Sequence, residues 1–252
     1  MDEPLEDEEG VRLAATVMLL RDDPREGLQV FMLQRSGSGA FPDLRVFPGG
    51  KVDAPDFAPH LFDAFTDAQA SSALGVAQAG LRFWVAAVRE CFEECGVLLV
   101  QPAAGHEAID LEGPHIDQYR QALLDGTMSF EEVCGAQNWL INLKQLAYFS
   151  RWRTPAQAPR RFDTRFFVAA VPPDQQAEIH AAEARTATWV APQQALDRAQ
   201  TSRWQMIEPT LRSLEVLAKY DSAAQALEHV RTGHHLQPLT QDLIEQGMMP
   251  RR

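Results

Sequence analysis

Arg89-Glu90-Cys91-Phe92-Glu93-Glu94-Cys95-Gly96-Val97 is the stretch on which the reading of this chain turns. At 3.6 residues per turn, Glu93 and Glu94 fall on either side of Glu90 within one narrow arc, so three carboxylates share a helical face. Leu81, Val85, Val88, Phe92 and Cys95 keep the 4-3-4-3 spacing of an apolar stripe on the opposite face. The pattern predicts a helix from about Gly80 to Cys95 with Gly96 as its C-terminal cap. Like charges three or four residues apart cost roughly 0.2–0.5 kcal/mol per pair, and locally only Arg89 offsets them. Spacing alone leaves two readings, a solvated acidic face and a site for a hard divalent cation that takes oxygen ligands. Ala86, Ala87, Val97 and Leu98 flank the acids, where a solvated face usually interleaves Lys or Arg.

Upstream, the apolar run Val11–Leu20 stops at Asp22-Asp23-Pro24, and Leu28–Leu33 follows as its hairpin partner. A loop from Arg35 then runs to Val46-Phe47-Pro48-Gly49-Gly50, whose paired glycines suit a tight turn or close approach by another group. The segment between Asp53 and Gly80 reads as mostly loose, with a short helix near His60–Phe65. Downstream the pattern predicts a strand at Val97–Val100 and helices at His115–Asp125 and Ser129–Trp139. Strands follow at Gln145–Trp152, Phe162–Val171 and around Thr188–Val190. Pro192 opens a further helix, and the chain from about Trp204 reads as helical with breaks at Asp221 and Gly233.

Composition bounds the function. The 252 residues suffice for a sizeable core, and 45% hydrophobic with 23% charged residues is ordinary for a soluble globular protein. A formal charge of −12 argues against sequence-independent binding to nucleic acid or an anionic membrane. Cys91, Cys95 and Cys134 fit neither a disulfide framework nor a zinc pattern and read as reduced structural thiols. The acidic start, residues 1–10, lacks the order of a signal peptide and is expected to fray. A single domain over residues 11–252 in the cytoplasm is the expectation. Five arginines, Arg151, Arg153, Arg160, Arg161 and Arg165, form the dense basic cluster of an otherwise acidic chain.

Gly50-Lys51-Val52-Asp53-Ala54-Pro55-Asp56 and Arg89–Val97 together resemble the two halves of the Nudix box. The second half matches at every defined position, and the first carries Asp56 where the family has Glu. Residues 57–88 stand where the family has seven, an insertion of 25. That insertion, with Leu33-Gln34-Arg35-Ser36, Arg151-Trp152 and Arg161–Phe167, resembles the coenzyme A diphosphatase branch known as nucleoside diphosphate-linked moiety X motif 19. The resemblance implies an α/β fold, a Nudix α/β/α sandwich with a mixed β-sheet, plus the inserted segment at about 57–80 and a helical C-terminal part from about 192.

The same resemblance implies hydrolysis of a pyrophosphate bond in a nucleoside diphosphate linked to a group X, with Mg²⁺ or Mn²⁺ as cofactor. Glu90 and Glu94 are the expected metal ligands, Glu93 a further ligand or the base, and Arg89 the group that orients an acid. Glu183, or less favourably Glu178, is the candidate for an additional acid from a later loop. Gly49 and Gly50 would bring backbone groups to the metal. Arg35, Arg151, Arg153 and Arg161 are candidates for substrate phosphates, and Trp152 for stacking on adenine or for the core. Coenzyme A or an acyl-coenzyme A is the expected substrate. ADP-ribose, NADH, nucleotide sugars and dinucleoside polyphosphates are alternatives, as is a nucleotide-sensing module that does not cleave. A homodimer is expected from the resemblance.

Overall fold

The structure is a computed structural model that describes residues 5–35, 44–107, 110–111, 114–179 and 184–233. The organising strand is β1 (Arg12–Asp23), which grows from the predicted apolar run. Its side chains alternate between two cores: Ala15, Val17 and Leu19 enter one, Met18 and Leu20 the other. A strand buried on both faces needs helices on both sides of its sheet.

Among the described residues the sheet is mixed and seven-stranded. One edge of β1 pairs in parallel with β8 (Phe162–Ala170), which pairs antiparallel with β7 (Leu146–Arg153). On the other edge, the C-terminal half of β1 pairs with β2 (Gly27–Arg35) and its N-terminal half with β4 (Gly49–Lys51). Beyond Val30, β2 takes β3 (Arg45–Val46) on the side it shared with β1 and β9 (Ala184–Val190) on the other. The segment Arg45–Lys51 is therefore wedged where β1 and β2 part, and the Val17 amide donates to the Pro48 carbonyl at 2.8 Å.

On one face lies α2 (Leu81–Cys95), with α1 (Asp67–Leu74), α3 (Pro114–Leu124) and α4 (Phe130–Gln137) around it. The predicted stripe of Leu81, Val85, Val88, Phe92 and Cys95 is fully buried there, each residue 0% exposed. On the other face, α5 (Pro192–Gln200), α6 (Glu208–Leu217) and α7 (Ala223–Arg231) cover the second core. This is the α/β/α sandwich that the motif implied.

Four details depart from the sequence reading. The insertion contains α1, whose N-cap Thr66 and Gln69 satisfy each other's backbone amides. The Asp67 carboxylate of α1 accepts the amides of Ala79 at 2.7 Å and Leu81 at 3.1 Å, so the insertion caps the start of α2. The helix expected through Trp139 ends at Gln137, because Asn138 takes a left-handed φ of 54°. Trp139–Ile141 instead forms β6, paired with β5 (Val100–Pro102), so ladder pairing begins at Val100 rather than Val97. Leu5–Gly10, expected to fray, is tied down: the Leu5 amide donates to the Val52 carbonyl, and the Leu13 amide to that of Leu5. The far C-terminus, 234–252, lies outside the described residues.

Candidate active site

The acidic helix face is organised by Arg89, whose side chain is only 10% exposed. Its Nε and Nη2 donate to the two carboxylate oxygens of Asp56 at 2.8 and 3.0 Å. Nη2 also donates to the Lys51 carbonyl at 2.8 Å, and Nη1 reaches Glu90 at 3.0 Å and Glu93 at 3.1 Å. The Asp53 carboxylate lies 3.5 Å from Nη2. One guanidinium thus ties both halves of the sequence motif together. Asp56, one methylene shorter than the family's Glu, reaches Arg89 because the turn Ala54–Asp56 carries it inward to 2% exposure. Its second oxygen also accepts the Asp53 amide at 2.8 Å.

The glycine pair comes up against the same face. The Gly49 amide donates to the Glu94 carboxylate at 2.8 Å. A Cβ on Gly50 would sit 2.4 Å from the nearer Glu90 carboxylate oxygen, so that acid lies directly against the backbone of β4. A Cβ on Gly49 would sit 2.4 Å from the Ala15 carbonyl, which explains glycine at the wedge between the strands.

Electrostatics follow from this crowding. Burial pushes the Glu90 carboxyl up to about 7, with Glu93 adding to the rise and Arg89 opposing it. Burial likewise raises Glu93. For Arg89, burial alone would lower the guanidinium, but Asp56 and Glu90 outweigh it and hold the group well above its ordinary value. Asp56 takes the bidentate share, so Glu90 receives a single hydrogen bond from Arg89 and stays undercompensated. Asp53, Asp56, Glu90 and Glu93 thus surround one cation, with Glu94 beside them, and a divalent cation would relieve that excess. The donor set is hard oxygen throughout, which fits such an ion. Among the described residues no trio of acids, histidines or cysteines is already drawn into a ligand cage.

The other predicted residues divide. Arg151 grips Asp163 through Nε at 2.9 Å and Nη2 at 2.6 Å, and Arg165 pairs with the same carboxylate. Arg153 pairs with Asp7 and Glu9, and Arg161 lies 3.6 Å from Glu9. Most of the basic cluster is therefore engaged by acids distant in sequence. Trp152 packs against the second core. Arg35 is exposed at the end of β2, and Glu178 is exposed with its amide bonded to the Cys95 carbonyl. Glu183 lies outside the described residues. Sequence reasoning missed Arg120, whose Nε donates to the Glu93 carbonyl and Nη2 to the Glu178 carbonyl. A cation at a helix C-terminus complements its exposed carbonyls, but its source, 27 residues downstream in α3, is not visible in local spacing.

Comparison with known proteins agrees with the geometry. A Caenorhabditis elegans nudix hydrolase is 28% identical, over 82% of this chain and 61% of that one. The human protein named acyl-coenzyme A diphosphatase NUDT19 is also 28% identical, over 80% of this chain and 64% of that one. The chain spans about three-fifths of the length of these curated relatives. The crystal structure of a NUDIX hydrolase from Alicyclobacillus acidocaldarius superposes with a TM-score of 0.71 at 26% identity, covering 89% of this chain and 97% of that one. The model of the NUDT19 Nudix domain matches residues 78–216, more than half of the chain. By fold, by motif and by that match, the chain belongs to the NUDT19 Nudix domain family.

Proposed function

We propose that the protein is a divalent-metal-dependent pyrophosphohydrolase acting on a nucleoside diphosphate linked to a second group, with coenzyme A or an acyl-coenzyme A as substrate. The products would be 3′,5′-ADP and 4′-phosphopantetheine or its acyl form. The observation that carries this reading is the arginine-clamped acidic face set against Gly49 and Gly50. It holds several carboxylates with too little counter-charge in a partly desolvated place. The name of the human relative, acyl-coenzyme A diphosphatase, supports the substrate, and that of the Caenorhabditis elegans relative, a nudix hydrolase, supports the reaction class alone.

In this reading Glu90 and Glu94 would hold the cation, Mg²⁺ or Mn²⁺, which when bound would supply charge neutralisation for the substrate's phosphates. Glu93 shares that task or takes the proton of the attacking water. Arg89 is a positioning residue: it fixes Asp56, Glu90 and Glu93 relative to one another and to the Lys51 carbonyl. The Gly49 amide orients Glu94. Among the described residues no helix is long and apolar enough to cross a membrane. A cytoplasmic homodimer is the proposed setting, checked by fractionation and light scattering.

The deciding experiment screens coenzyme A, acyl-coenzyme A, ADP-ribose, NADH and dinucleoside polyphosphates with Mg²⁺ and with Mn²⁺, wild type beside Glu93→Gln and Glu94→Gln. Wild type should turn over coenzyme A esters fastest, and both variants should lose most of that activity while keeping the wild-type Tm. Equal turnover by wild type and variants would remove the acidic face from the mechanism.

A further inference from the structure

The N-terminal end of α2 borders a cavity of about 230 Å³ that the acidic face does not use. Residues 76–79 of the insertion form one wall, and Arg82, Arg151 and Arg165 converge on it with Asp163 and Asp7. The two carboxylates are already committed. Asp163 is shared between Arg151 and Arg165, and Asp7 accepts the amides of Glu9 and Val11 and pairs with Arg153.

The guanidinium groups are not fully used. Arg165 is 1% exposed, lies over the Phe83 ring at 5.0 Å, and keeps a buried Nε with no partner. Arg82 also has a buried Nε with no partner. A buried donor left without an acceptor is costly, more so when it is charged, and the two residues that carry these donors both line the cavity. Burial lowers the pKa of both arginines despite the nearby acids, consistent with charge that lacks a full complement of acceptors.

We infer that this cavity is an anion subsite for a phosphomonoester, bound by Arg82 and Arg165, with the insertion supplying its wall. Arg82 precedes Arg89 by seven residues, two turns or about 10 Å along the same side of α2. A phosphomonoester in the cavity and a pyrophosphate at the acidic face can therefore belong to one molecule. Identifying that molecule as coenzyme A, with its 3′-phosphate in the cavity, rests on the proposed function; the subsite does not.

The test has two arms. In the first, kcat and KM are measured for coenzyme A and 3′-dephospho-coenzyme A with wild type and Arg82→Gln. A substrate-borne phosphate predicts a KM for coenzyme A raised roughly tenfold or more in the variant, with KM for the dephospho form and both kcat values unchanged. In the second, inorganic phosphate is titrated against the Tm of wild type, Arg82→Gln and Arg165→Met at constant ionic strength. A rise in Tm for wild type that both variants lose supports the subsite even if neither nucleotide is hydrolysed, the outcome in which the proposed function fails alone. Phosphate stabilisation without substrate discrimination assigns the cavity to free phosphate. Discrimination without phosphate stabilisation assigns it to the substrate. Absence of both effects, or equal effects in wild type and Arg82→Gln, overturns the inference.

Discussion

Removing Arg89 should cost the fold more than removing its tightest partner, and the asymmetry can be worked out from the contacts. In Arg89→Met, Asp56 at 2% exposure loses both charge-assisted hydrogen bonds, and Glu90 and Glu93 lose their shared donor. Breaking a buried pair by deleting one partner costs about 3–5 kcal/mol. In Asp56→Asn, Arg89 keeps Glu90, Glu93 and the Lys51 carbonyl, and one side-chain oxygen still accepts. That loss should be about 1–2 kcal/mol. At roughly 2–4 °C per kcal/mol for a chain of this size, Arg89→Met should melt roughly 6–20 °C below wild type. Arg89→Lys should recover little, since an ammonium cannot reproduce the fork. The assay is urea and thermal unfolding in chelator-treated buffer, with the double variant to measure coupling, which should be less than additive. If Asp56→Asn costs as much as Arg89→Met, Arg89 serves Asp56 alone and the account of the acidic face fails.

The remaining predictions concern the glycines, pH and the thiols. Gly50→Ala meets a side-chain carboxylate whereas Gly49→Ala meets the Ala15 backbone. The first should therefore lower kcat/KM at least tenfold with a Tm near wild type, and the second should mainly destabilise; a reversal in paired melting and kinetic assays would contradict the geometry. In metal-free buffer, Glu90 binds protons up to about 7 in the folded chain against an ordinary 4.5. The native state therefore holds more protons across that window, and unfolding free energy should fall as pH rises from about 4.5 to 7. Glu93 shifts the same way, and added Mg²⁺ should flatten the slope; urea midpoints at successive pH values read it. Cys91, Cys95 and Cys134 are buried with burial raising each thiol. A thiol reagent should accordingly modify none in the native protein and all three after denaturation.

What could be read in advance was whatever lay within one element or one short motif. The α2 stripe and the three glutamates repeat at helical spacing, and β1 and β8 are apolar runs, so both appear where expected. The insertion hid α1 because its interior is alanine and serine with little apolar contrast, although Thr66 and Gln69 carried a legible capping signal. The acid partners of the arginine cluster were not legible because most are distant: Asp7 and Glu9 come from the chain start, and only the register of β7 on β8 puts Arg151 opposite Arg165, where both reach Asp163. Asp56 could not be judged from side-chain length, because its reach depends on the turn that carries it inward.

The parallel pairing of β1 with β8 also has a consequence during synthesis. Arg12 pairs with Phe162, about 150 residues later in the chain. At roughly 5–20 residues per second of translation, β1 emerges roughly 8–30 s before its parallel neighbour exists. Its other edge can be covered early by β2 and β4, but the edge that β8 will occupy stays open, and it is among the most apolar backbone in the molecule. The nascent chain thus carries a strand able to recruit the wrong partner until the second half arrives. The parallel centre of the sheet can close only then, after both halves of the acidic site have already been made.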